Sequence, residues 1–380
     1  MNRLIRRIAM AFALSVGAAS AQASTYVYVS NAEDGDIGMY TMSADGALQP
    51  GARVKAANIV MPMTVSPDKR FLFAAVRSKP FGVFTYSIDA FSGALSLAST
   101  ASLPESFPYI TLDKTGRFLL GASYGGHLVG VSAVGADGRV TSEPVQVVPT
   151  ARNAHAIRTD NTNRFVFVPH LGTDQIFQFH FDAKTGRIAA NTPPVVQLKA
   201  NTGPRHLISS PDNRFVYLLN ELTGTVTTLA LDAKTGLLTE MASVSAVPPD
   251  AKLVPGAPRG AVGAPGGPPP RNTDNDIWAA DLHMTPNGKY LYASERTSNT
   301  LAGFSVDAAA GKLTYLSSTP TEKQPRGFRI DPKGRYLVAT GEKSDTLSVY
   351  AIDQTSGALK LLKQYPTGKG SNWVEIVTFD

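Results

Sequence analysis

One phrase of apolar and polar positions recurs along most of the chain. An apolar stretch runs into a turn of Pro, Asp, Asn or Gly, a basic residue follows, and an alternating apolar–aromatic stretch comes next. Six full copies are present: Ser66-Pro-Asp-Lys-Arg70-Phe-Leu-Phe, Asp113-Lys-Thr-Gly-Arg117-Phe-Leu-Leu, Asp160-Asn-Thr-Asn-Arg164-Phe-Val-Phe, Ser210-Pro-Asp-Asn-Arg214-Phe-Val-Tyr, Thr285-Pro-Asn-Gly-Lys289-Tyr-Leu-Tyr and Asp331-Pro-Lys-Gly-Arg335-Tyr-Leu-Val. A seventh begins without its first half, at Thr25-Tyr-Val-Tyr-Val. Counted from Thr25, successive copies lie 45, 47, 47, 50, 75 and 46 residues apart. A period of about 40–50 residues with strand chemistry predicts propeller blades. Proline presets φ for a turn, and Asp, Asn and Gly accept tight or left-handed backbone, so each turn is predicted to join two antiparallel strands.

A second signature, Asp-x-x-x-Gly, follows the phrase at Asp89/Gly93, Asp182/Gly186, Asp232/Gly236, Asp307/Gly311 and Asp353/Gly357, with shorter forms at Asp45-Gly46 and Asp137-Gly138. It predicts a hairpin turn between the two outer strands of each blade. Two signatures with the same count predict an all-β, seven-bladed β-propeller. The first copy lacks an innermost strand, and the C-terminal Asn372-Trp-Val-Glu-Ile-Val-Thr-Phe379 is a strand without a successor. The last strand should therefore complete the first blade and close the ring, leaving only short, protected edges. The long interval before Lys289 carries about 25 residues more than its neighbours. Its residues 247–276 are rich in Pro and Gly, including Pro268-Pro-Pro270, a composition incompatible with regular sheet or helix. An insertion outside the blade is expected there, either a structureless loop or a lid over a pocket.

The first 23 residues read differently. Arg3, Arg6 and Arg7 precede an apolar run over residues 8–19 and the small-x-small sequence Ala21-Gln22-Ala23. This is the pattern of a secretory signal peptide, cleaved after Ala23 or Ala21, and it is too short for a membrane span of about 20 residues. The domain expected in the mature protein is 24–380, periplasmic or secreted, with no membrane association after cleavage. At about 357 residues it exceeds the usual single-core domain of about 250, which the repeat resolves. Lys and Arg number 36 against 30 Asp and Glu; removing three leader arginines leaves 33 against 30, a net charge of +3. No basic run or basic–aromatic stripe occurs, so nucleic acid is not an expected partner. The absence of cysteine excludes disulfides, thiolate nucleophiles and Cys-based metal sites. Oligomeric state is not legible.

Equivalent positions of the blades can be compared as columns. Nine residues before the basic anchor stand Met61, Pro108, His155, Arg205, Ala280 and Arg326; eight before stand Pro62, Tyr109, Ala156, His206, Asp281 and Gly327; seven after stand Arg77, Tyr124, Leu171, Glu221, Arg296 and Glu342. An antiparallel hairpin brings these columns to one end of the channel. Titratable groups from several blades should converge there, which makes that end a candidate site. Arg205 and Glu221 also have the separation of a cross-strand ion pair. No His-x-x-x-His spacing, calcium loop, Gly-x-Ser-x-Gly elbow or phosphate loop is present, so no metal or cofactor is expected.

Gly203-Pro-Arg-His206 followed by Tyr217-Leu-Leu-Asn-Glu-Leu222 resembles the signature of the seven-bladed propeller lactonases, the family of propeller-type 6-phosphogluconolactonase and the carboxymuconate-lactonizing enzyme. Ser123-Tyr-Gly-Gly126, Ala154-His-Ala, Val168-Pro-His-Leu-Gly-Thr-Asp174, Leu291-Tyr-Ala-Ser-Glu-Arg296 and Pro325-Arg-Gly-Phe328 extend the resemblance over the mature chain, which departs from the family at Tyr109, His170 and Glu295. The resemblance implies a catalytic group of His155, Glu221, Arg205 and Arg296, with His206, Asn220, Arg326 and Tyr124 binding substrate. The expected partner is a small lactone. Hydrolysis of a cyclic ester needs a general base for water, which His155 or Glu221 can supply, and a cation for the developing oxyanion, which arginine can supply. A non-catalytic periplasmic propeller binding a protein or small ligand is the alternative.

Overall fold

The computed structural model describes residues 23–258 and 272–379; residues 1–22 of the expected leader, the middle of the insertion and residue 380 lie outside them. The described residues form seven four-stranded antiparallel sheets and no helix. Blades 2 to 7 span 60–102, 109–149, 158–197, 204–245, 279–320 and 328–366. Blade 1 is composite. Ser371–Phe379 pairs antiparallel with Ser24–Asn31, as the half-missing first repeat required, and Ser30 Oγ donates to Asn372 Oδ1 across the seam at 3.0 Å. The innermost strands pack beside one another around the axis.

Burial follows strand position. The second strands of blades 3 to 6, Phe118–Ser123, Phe165–His170, Phe215–Asn220 and Tyr290–Glu295, are buried throughout, because a neighbouring blade covers each face. This is why they read as unbroken apolar runs. The outermost strands, such as Leu48–Lys55 and Leu238–Ser245, are mostly exposed.

The two sequence signatures are halves of one contact. The aromatic residue after each anchor packs under the outer-turn glycine of the next blade: Tyr26 under Gly93, Phe71 under Gly138, Phe118 under Gly186, Phe165 under Gly236, Phe215 under Gly311, Tyr290 under Gly357 and Tyr336 under Gly46. All seven glycines have positive φ, and a Cβ at any of them would overlap the ring below. Only glycine meets both demands. The series closes on itself, since blade 7 contacts blade 1 through Tyr336 in the same way.

The described parts of the insertion make no strand. They meet at an isolated bridge between Val254 and Asp276. Gly256 N–H donates to Leu222 O at 2.8 Å, which anchors the insertion beside Glu221, at the end of the channel where the titratable columns lie.

Candidate active site

The hairpin geometry that aligned the columns is explicit in the backbone. Arg77, Glu221, Arg296 and Glu342 each donate their N–H to a carbonyl eleven residues before their own anchor, on Ile59, Gly203, Trp278 and Gln324. These side chains therefore emerge at one level from different blades. Arg77, Pro108, Tyr124, His155, Glu221, Trp278, Arg296 and Arg326 line a cavity of about 150 Å³. It adjoins a wider depression of about 740 Å³ that shares Trp278 and is lined further out by Met61, Gln324, Glu342 and Asn372.

Glu221 is the hub. Its Oε2 accepts from Arg205 Nε at 2.7 Å and from Arg296 Nη2 at 3.0 Å, and its Oε1 accepts from Trp278 Nε1 at 3.1 Å. The predicted cross-strand pair is present, but Arg296 from the next blade shares the same oxygen. Burial opposes ionisation of Glu221, yet Arg296 and Arg205 outweigh it and hold the carboxyl below its ordinary range. Arg296 is itself clamped, donating to Trp278 O and Ala279 O, with its guanidinium 3.7 Å above the Trp278 ring. Burial pulls Arg296 down to about 9 and Arg205 to about 10, so both remain charged at neutral pH.

His155 Nε2 lies 4.0 Å from Glu221 Oε2. Its ring meets Tyr124 and His206 edge-on, and its buried Nδ1 has no hydrogen-bond partner among the described residues. Desolvation first, then Arg205, His206 and the other arginines, push its pKa well below the usual imidazole value. His155 is therefore neutral at neutral pH.

His206 sits one layer deeper, under the cavity. Its Nδ1 pairs with Asp281 Oδ1 at 2.9 Å, and its Nε2 lies 3.0 Å from Arg205 Nη1. Burial, followed by Arg205, brings its pKa down to about 3. Arg205 Nη1 is within 3.3 Å of Nδ1 as well, so the guanidinium lies against the imidazole ring and not in line with one lone pair. Arg205 Nη1 also donates to Ala280 O. Asp281, His206 and Ala280 thus fix the guanidinium that holds Glu221. Asp281 in turn binds His283 Nε2 at 3.1 Å and accepts Leu282 N–H.

The geometry brings together His155, Glu221, Arg205, Arg296, Arg326 and Tyr124, and places His206 behind them. It does not bring Asn220 with them. Asn220 alternates to the opposite face of its strand, where Nδ2 donates to Thr227 Oγ1 at 2.8 Å and Thr225 Oγ1 at 3.0 Å. That corrects the expected substrate contact: Asn220 ties two strands of blade 5 together. Two site residues, Trp278 and Asp281, are not among the sequence-predicted ones. Both have a signal in the sequence: Trp278 stands eleven before its anchor, two positions outside the nearest column compared, and Asp281 stands in the column eight before. Among the described residues, no three His, Asp or Glu side chains are arranged to hold a metal ion.

The sequence model for "Lactonase, 7-bladed beta-propeller" matches residues 21–376. The chain is 37% identical over 305 residues to a protein named 6-phosphogluconolactonase from Pectobacterium carotovorum subsp. carotovorum, covering 80% of this chain and 84% of that one. The protein of that name from Serratia proteamaculans is matched at the same identity and coverage. Among solved structures, the Pseudomonas aeruginosa periplasmic gluconolactonase superposes with a TM-score of 0.79 at 26% identity, covering 94% of this chain and 99% of its own.

Proposed function

The chain belongs to the seven-bladed β-propeller lactonase family, and on that premise we propose that it is a periplasmic hydrolase that opens a sugar lactone or a similar small cyclic ester. The observation that carries this reading is the arrangement of a neutral His155 beside a Glu221 whose carboxylate is committed to two guanidiniums and an indole. The names of the relatives supply the lactone. The leader pattern in residues 1–23 and the periplasmic relative support the compartment.

The geometry favours His155 over Glu221 as the base. Glu221 already accepts three hydrogen bonds and is held ionised, so taking a proton would break two ion pairs. His155 keeps a lone pair no arginine occupies. In the proposed reaction His155 takes a proton from water as its oxygen attacks the carbonyl carbon. Glu221 stabilises the imidazolium from 4.0 Å, and Arg296 faces the developing oxyanion. The ring C–O bond then breaks, and the imidazolium returns its proton to the leaving oxygen.

The test is His155→Gln with a pH profile, assayed on aldonolactones. General-base loss lowers kcat by about 10²- to 10⁴-fold. Because the base must be unprotonated, kcat/KM falls as pH drops through the lowered His155 pKa, so the acid limb lies below the free-imidazole value of about 6.5. A limb at or above that value, or a His155→Gln variant with wild-type turnover, overturns His155 as base. No turnover on any lactone overturns the enzyme reading in favour of ligand binding.

A further inference from the structure

One backbone position carries a residue that its equivalents avoid. Eleven residues before the anchor, the chain turns left-handed in four blades, at Ile59, Asn153, Gly203 and Gln324, with φ of 59°, 62°, 67° and 52°. Asn and Gly accept that conformation and Gln is unbranched at Cβ. Among the described residues, Ile59 is the only β-branched side chain held in it. The backbone there does not need an isoleucine: Ile59 N–H donates to Ala32 O at 2.9 Å and its carbonyl accepts Arg77 N–H at 3.1 Å, bonds open to any residue but proline. Nor does burial offset the strain, since Ile59 is 44% exposed. A side chain that strains the backbone without packing into the core points to a contact made outside the folded chain.

Ile59 lines the wide depression beside the candidate active site. It reaches the depression with Met61 at the start of blade 2, and Trp278 reaches it at the start of blade 6. Polar groups of the lining are mostly engaged within the wall. Ser78 Oγ donates to Asn58 O at 2.6 Å, Asn372 accepts from Ser30 and donates to Gly370 O, and Lys343 lies 3.6 Å from Glu33 at the rim. The apolar side chains are what a ligand is left to cover. The inner cavity of about 150 Å³ has room for one ring of about benzene size. Whatever a bound lactone carries beyond its ring must therefore extend into the depression, past the Trp278 that both share. We propose that Ile59, Met61 and Trp278 form an apolar subsite, and that the substrate is a small lactone whose ring carries an alkyl or aryl arm. Met61 supplies adaptable apolar surface and Trp278 a flat one. The subsite rests on the lactonase reading for the ring, but its test does not need turnover.

The probes are 5-alkyl-2-pyrrolidinones, lactams that copy the lactone ring and are not opened. Binding is followed by tryptophan emission, since Trp278 is one of only two tryptophans and lines both cavities. From the 5-methyl to the 5-butyl lactam, Kd should fall about two- to fourfold per methylene, the upper figure being that of complete burial. The 5-hydroxymethyl lactam should bind no more tightly than the 5-methyl one. In Ile59→Asn, which keeps the left-handed backbone and removes the apolar wall, the gain per methylene should shrink toward one. The variant should melt at or above the wild-type temperature, so that the lost gain is not lost folding; Ile59→Gly repeats the test with the same backbone freedom. A wild-type Kd that stays flat or rises along the series overturns the subsite, as does a gain per methylene that survives both Ile59 variants. Hydrolysis of unsubstituted lactones alongside a flat lactam series overturns the subsite alone. The expected gain with no turnover of any alkyl lactone overturns the lactonase reading and leaves the subsite standing.

Discussion

At one end of the inner hairpins sit the arginines of the repeat, and at the other sit Arg205, Arg296, Arg77 and Arg326. The two sets share a side chain and differ in everything around it. Arg117, Arg164 and Arg214 lie over the aromatic ring that follows them and donate Nη2 to a carbonyl in the outer turn of the next blade, on Ala183, Ala233 and Ala308. They are exposed, and each does what its equivalents do. The channel arginines are buried or nearly so and occupy only some blades of two columns, Arg205 and Arg326 nine before the anchor and Arg77 and Arg296 seven after it, whose other blades carry different residues. Arg205 and Arg296 are fully enclosed around Glu221. A periodic arginine in this molecule therefore holds blades together, and an aperiodic one equips the cavity.

The comparison can be broken at several strengths. The largest effect is expected where periodicity closes the ring. Deleting residues 371–380 removes the inner strand of blade 1 with its buried Val374, Ile376 and Val377, each contributing about 1.5–3 kcal/mol. The truncated protein should lose its cooperative thermal transition, and a melt like that of the full chain would refute closure. Next comes the aromatic–glycine staple. Phe165→Ala empties the space under Gly236 and should cost about 3–5 kcal/mol, read from denaturant midpoints. A cost below about 1 kcal/mol, the range of an ordinary surface change, would make the staple decorative. The smallest and sharpest test pairs Arg296→Met with Arg164→Met. The channel substitution should lower kcat by about 10²–10³-fold, whereas Arg164→Met should cost no more than about 1 kcal/mol of stability, the range of an exposed ionic contact. Equal losses of turnover in the two variants would erase the distinction between the sets.

Several of these features are legible in the order of residues. The hairpin turns and their count rest on contacts between residues close in sequence, which turn chemistry and strand alternation specify locally; the composite first blade joins the two ends of the chain, and it is legible because the count leaves half a repeat at each end. The columns carry Arg205 and Glu221 to the same level because the two strands of a hairpin share one register. Asn220 departs from expectation for a related reason: it adjoins Glu221 in sequence, and a strand sends neighbours to opposite faces.

What strand period and turn residues determined by themselves was the architecture: seven blades, their closure, and the end of the channel where chemistry gathers. Only the tertiary structure decided how that chemistry is arranged. Arg296 reaches Glu221 from another blade, Trp278 caps the same carboxylate, Asp281 orients His206 behind Arg205, and Arg77 finds no carboxylate partner among the described residues. Each of these contacts or absences is set between blades. A register fixes what faces what within a hairpin, but the distance from one blade to the next depends on how all seven pack around the axis.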